Sequence, residues 1–128
     1  MSTVDFHDLR ILLVDDDTLV RETVGAMLRG LGATVIPAKD GPAAIDILQS
    51  DAVVRVMLTD VVMPGGMDGL ALAERASVLR PALNIVFMSG NAEADQRTLR
   101  AIGDRPLLVK PFRKHQLAAV IRANRPQP

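Results

Sequence analysis

Ile11-Leu12-Leu13-Val14-Asp15-Asp16-Asp17 is the stretch on which the fold turns. Four apolar residues in a row fit a strand buried on both faces, because a strand with one wet face alternates. The run stops at three aspartates. Helical spacing follows at once: Val20, Val24, Met27, Leu28 and Leu31 share one stripe, and Gly30 and Gly32 mark its end. The same unit recurs down the chain. Thr34-Val35-Ile36 is a short second strand. Asp40-Gly41-Pro42 opens a helix with the stripe Ala44, Ile45 and Leu48, and Pro42 sits where a missing N–H costs nothing. Val53 to Thr59 is a third strand, ending at Asp60. Met63-Pro64-Gly65-Gly66-Met67 is a loop, and Asp68 is the expected N-cap for a helix carrying Leu72, Ala76 and Leu79. Beyond Pro81, Ile85 to Met88 is a fourth strand, ending at Ser89-Gly90. Residues 92 to 102 read as a weaker, charge-rich helix. Leu107 to Val109 is a fifth strand ending at Lys110-Pro111, and the last helix carries Leu117, Val120 and Ile121. Arg125 to Pro128 reads as a tail or linker.

Five strands alternating with five helices predict an α/β fold, a parallel sheet with helices on both faces. Composition narrows the function. The 128 residues predict one domain, and 48% hydrophobic content supplies a core. Fifteen basic and fifteen acidic side chains balance, so there is no general pull toward nucleic acid or anionic lipid. With no cysteine there are no disulfides, thiol catalysis or thiolate metal sites. Three phenylalanines and no other aromatics leave no base-stacking platform. No signal peptide and no membrane-length apolar run is visible, which predicts a soluble, cytoplasmic protein without direct membrane contact.

In parallel sheets of this kind ligands bind beyond the carboxyl ends of the strands. The first strand ends in Asp15-Asp16, the third in Asp60, the fourth in Ser89 and the fifth in Lys110. Carboxylates crowded together repel, and a hard divalent cation relieves that repulsion through oxygen ligands. Lys110 and Ser89 can neutralise and hydrogen-bond phosphoryl oxygens. Phosphoryl transfer needs little beyond positioning and charge stabilisation, and a carboxylate is a competent nucleophile. Together these residues predict Mg²⁺-dependent (or Mn²⁺-dependent) phosphoryl transfer to an aspartate. Taken singly, each has an ordinary reading: aspartates after strands form turns and caps, Asp17 above all, Ser89-Gly90 is a turn, and Lys110-Pro111 enters a helix. His7 and His115 read as surface residues, since no second ligand lies at metal spacing.

In this order, the segments Leu13-Val14-Asp15-Asp16, Thr59-Asp60-Val61-Val62-Met63-Pro64, Met67-Asp68-Gly69, Met88-Ser89-Gly90 and Lys110-Pro111-Phe112 resemble the receiver domain of two-component response regulators. The resemblance runs from about Arg10 to about Arg122. It implies a flavodoxin-like (βα)₅ fold of strand order 2-1-3-4-5, with the domain at 8–123 and short tails at 1–7 and 124–128. It implies a signalling domain that phosphorylates itself and only slowly dephosphorylates, rather than an enzyme turning over substrate. Asp60 would take a phosphoryl group from a histidine kinase or histidine phosphotransfer protein. Asp15, Asp16, Asp60 and the backbone carbonyl of Val62 would hold the metal. Lys110 would pair with phosphoryl oxygens, Ser89 would move toward the phosphoaspartate as the switch, and Pro111 would follow a cis peptide bond.

Three departures stand out. The Pro64-Gly65-Gly66-Met67 loop is one residue longer than the common form and resembles receivers of hybrid sensor histidine kinases and some stand-alone relatives. The switch aromatic of the family is here Leu107. Val62 and Asn91, two beyond Asp60 and Ser89, occupy positions that tune hydrolysis, and apolar Val62 cannot orient water, which predicts slow loss of phosphate. Leu19, Val20, Thr23 and Pro111 are the expected partner-docking positions, on a monomer or weak dimer. Asp15-Asp16-Asp17-Thr18-Leu19 is also a little similar to the first motif of haloacid-dehalogenase-like phosphatases, but the glycine of that motif is missing and Asp60 would then have no role. Two further readings compete: a receiver-like binding module that never accepts phosphate, and a nucleotide or flavin binder. A nucleotide or flavin binder would carry a glycine-rich turn after the first strand, and this chain has none there.

Overall fold

The computed structural model describes residues 6–63, 66–90 and 96–124. Pro64, Gly65, Asn91, the expected helix start at 92–95 and the ends of both tails lie outside them. The elements are β1 (Arg10–Val14), α1 (Thr18–Gly30), β2 (Thr34–Ala38), α2 (Gly41–Leu48), β3 (Val56–Asp60), α3 (Gly69–Leu79), β4 (Asn84–Gly90), α4 (Gln96–Ile102), β5 (Leu107–Lys110) and α5 (Lys114–Ala123). All strand pairs are parallel, and the sheet order is β2-β1-β3-β4-β5.

The sheet separates two cores because strand side chains alternate between faces. Ile11, Leu13, Val56, Leu58, Val86 and Met88 pack with Val24 and Leu28 of α1 and Leu117 and Ile121 of α5. Leu12, Val14, Met57, Ile85 and Phe87 pack on the other side with Ala44, Ile45 and Leu48 of α2, Leu72 and Ala76 of α3 and Ile102 of α4. The expected stripes are therefore the buried ones, with Val20, Met27, Leu31, Leu79 and Val120 half-buried beside them. Three helices start on aspartate caps. Asp17 accepts from Leu19 and Val20 N–H, Asp40 from Ala43 and Asp68 from Ala71, at 2.9–3.1 Å. Gly32, at φ +103°, turns the chain out of α1 in the left-handed region that glycine adopts without strain.

Two strand boundaries differ from expectation. β2 runs on through Pro37 to Ala38, which is possible because β2 is an edge strand and the missing N–H faces no neighbour. β3 begins at Val56 rather than Val53, because pairing with β1 starts at Ile11 opposite Val56; Val53 is left exposed. As expected, Asp60, Ser89 and Lys110 stand at the carboxyl ends of β3, β4 and β5.

Candidate functional site

The carboxyl ends of β1, β3 and β5 bring three side chains together. Asp15 follows β1 and is fully buried. Its Oδ2 accepts from Lys110 Nζ at 3.1 Å, and its Oδ1 accepts from Asp17 N–H at 2.9 Å. Asp60 ends β3 at 8% exposure, with its Oδ2 3.3 Å from the same ammonium. Asp16 is exposed beside them. Asp15, Asp16 and Asp60 each offer an oxygen within 4.8 Å of the others. Lys110 arrives on β5, just before a cis Lys110–Pro111 bond.

The electrostatics follow from this crowding. Burial is the largest influence on the Asp60 carboxyl and raises its pKa above the ordinary carboxylate value; the Asp15 charge pushes the same way, while Lys110 and the N–H of Val62 resist. Burial alone would depress Lys110, but the hydrogen bonds and charges of Asp15 and Asp60 outweigh it and leave the ammonium above its usual range. A pocket with two buried carboxylates, a third at the rim and one ammonium has excess negative charge. Its hard oxygen donors fit Mg²⁺, which keeps waters and takes one or two carboxylates plus phosphate oxygens.

Other expected residues take up separate places. Ser89 is buried on β4, and its hydroxyl donates to the Gly90 carbonyl at 2.8 Å instead of joining the cluster. Leu107 is half-buried, packs with the α2–α4 core and lies opposite Phe87 in the sheet. Val62 is 53% exposed. Leu19 is 72% exposed; Thr23 and Pro111 are exposed and Val20 is half-buried. His7 and His115 lie on the surface. Sequence reasoning missed Arg21, whose guanidinium donates to the Asp15 carbonyl at 2.6 Å and ties α1 to the acidic loop. It also missed Thr59, a buried hydroxyl that follows the apolar run Val56 to Leu58 in β3, which was the available signal.

The chain matches the family model of the response regulator receiver domain over residues 11–122. It belongs to that family. The receiver is 36% identical over 114 residues to the response regulator receiver protein CpdR of Brucella abortus, covering 84% of this chain and 89% of the relative. It is 36% identical over 114 residues to the sensor kinase CckA of the same organism, covering 88% of this chain but 12% of that protein. The structure of the chemotaxis protein CheY4 of Vibrio cholerae superposes with a TM-score of 0.80 at 26% identity, covering 91% of this receiver and 98% of that chain. The fold expected from sequence, a flavodoxin-like (βα)₅ sheet of order 2-1-3-4-5, is the one found. The receiver is a phosphoacceptor signalling domain, and the phosphatase and phosphate-independent readings are not favoured. No helix among the described residues is long and apolar enough to cross a membrane.

Proposed function

We propose that Asp60 is the residue that accepts the phosphoryl group. The observation that carries this reading is the meeting of Asp60, Asp15 and Lys110 at 3.1–3.3 Å at the carboxyl edge of the sheet. An Asp60 oxygen attacks phosphorus in line. The new P–O bond forms as the donor's P–N bond breaks, its electron pair passing to the imidazole nitrogen of a phosphohistidine. Asp15, Asp16, Asp60 and the Val62 carbonyl would hold Mg²⁺ or Mn²⁺. The ion, when bound, neutralises charge on the phosphoryl oxygens. Lys110 pairs with a phosphoryl oxygen once Asp60 has given up its own charge. Ser89 then leaves the Gly90 carbonyl for the phosphoaspartate. Leu107 offers neither hydroxyl nor ring, so the response downstream of Ser89 runs through aliphatic packing.

The donor is a histidine kinase or histidine phosphotransfer protein, docking on Leu19, Val20, Thr23 and Pro111. The domain comprises residues 8–123 with short tails, is cytoplasmic, acts as a monomer or weak dimer without nucleic acid, and is not a turnover enzyme. The test is incubation with acetyl phosphate, with and without Mg²⁺, followed by intact-mass measurement. Wild type should gain one phosphoryl group only with the metal, and Asp60→Ala should gain none. An unchanged wild-type mass would remove the reading.

A further inference from the structure

The carboxylate that takes the phosphoryl group sits on the last residue of a strand, where ladder support ends. The Asp60–Val61 peptide is nevertheless held at both of its ends. The Val61 N–H donates to the Met88 carbonyl at 2.9 Å. The buried Thr59 hydroxyl donates to the Asp60 carbonyl at 3.0 Å. The next carbonyl, of Val61, accepts from Gly69 N–H at 2.8 Å. Gly69 lies so close that an added Cβ would collide with the Asp60 carbonyl oxygen. The main chain that carries the nucleophile is thus held from three sides, and rotating the Asp60–Val61 peptide would move the backbone from which the Asp60 carboxylate projects.

From this we infer that Thr59 is a positioning residue for the phosphoacceptor. Its hydroxyl fixes the Asp60–Val61 peptide against the bare face of Gly69, and that peptide sets the backbone from which the Asp60 carboxylate projects. A nucleophile misplaced by a fraction of an ångström loses rate steeply, so a bond that touches no substrate still governs transfer. The inference rests on Asp60 being the acceptor.

The experiment compares Thr59→Val, isosteric without the hydroxyl, with Thr59→Ser, which keeps it. Phosphorylation by acetyl phosphate at saturating Mg²⁺ is followed by intact mass, with Asp60→Ala as the blank. The Val61 amide proton, which belongs to the peptide that Thr59 holds, is followed by NMR without metal. Thr59→Val should slow phosphorylation about five- to tenfold, the loss expected of one hydrogen bond in a positioned site. It should also move the Val61 amide resonance away from its position when bonded to the Met88 carbonyl. Thr59→Ser should restore most of both. A merely structural role would lower thermal stability in both variants without that split. Equal rates and an unmoved Val61 amide in Thr59→Val would overturn the inference while leaving Asp60 as acceptor. An unlabelled wild type would overturn both. Should Thr59→Val not fold, Thr59→Ala against Thr59→Ser carries the same comparison.

Discussion

At the scale of single residues, the site is a balance between buried carboxylates and one ammonium. Asp15 has no water to share its charge, so Lys110 and the Asp17 N–H stand in for solvent. Lys110→Met would leave that carboxylate uncompensated. The expected loss in metal-free buffer is roughly 3 kcal/mol, read by urea unfolding. Asp60 titrates in the opposite sense from an ordinary ion-paired carboxylate. Its pKa is raised on folding, so the native state holds the proton more tightly than the unfolded chain. The stability it contributes is present at acid pH and is lost as pH rises through the ordinary carboxylate value and on to the raised one. Asp60→Asn should therefore raise the unfolding midpoint at neutral pH, with an advantage that shrinks as pH falls toward the usual carboxylate range. A thermal-melt series over pH without metal reads this; an advantage growing toward acid pH would contradict it. Val62 bears on lifetime. Its exposed hydrocarbon beside Asp60 cannot orient an attacking water, so the phosphoryl group should survive longer than about a minute in Mg²⁺, and Val62→Asn should shorten that about tenfold.

At the scale of elements, the helices are anchored by their caps and the strands by register. Asp68 caps the start of α3 by accepting from the Ala71 N–H at 2.9 Å. Replacing it with alanine should cost about 1 kcal/mol in chemical denaturation. Helix α1 has two separate tasks. Val24 and Leu28 bury in the core, and Arg21 reaches back to the Asp15 carbonyl. Leu19, 72% exposed one turn from the acidic pair, takes part in neither. A large apolar side chain at the rim of a site fits partner contact. Leu19→Glu should slow phosphotransfer from a phosphorylated histidine protein by about tenfold while leaving labelling by acetyl phosphate near wild type. Equal slowing with both donors would assign Leu19 to the chemistry instead of docking.

At the scale of the whole molecule, a net charge of zero conceals a carboxylate excess at one edge of the sheet. Binding Mg²⁺ to the folded chain alone should therefore stabilise it, by about 2.7 kcal/mol at a hundredfold excess over the dissociation constant. Melting with added chelator and with Mg²⁺ reads this, and Asp15→Asn should blunt the difference.

What the sequence determined by itself was the order of elements and which side chains stand at the carboxyl edge of the sheet. Runs such as Ile11 to Val14 can only be buried on both faces, aspartate and proline punctuate helix starts, and a parallel sheet must put Asp15, Asp16, Asp60, Ser89 and Lys110 at one edge. Those signals are local, and local chemistry is what a single sequence carries. Where each strand begins was decided elsewhere: β3 waits for Val56 because its register with β1 opens at Ile11, and β2 passes through Pro37 because it lies at an edge. Only the tertiary structure decided that Lys110 bridges two carboxylates while Ser89 turns away to Gly90, and that Arg21, Thr59 and Gly69 brace the site. The physical reason is distance along the chain. Ninety-five residues separate Lys110 from Asp15, and no pattern of spacing tells which oxygen the ammonium meets until the fold has closed.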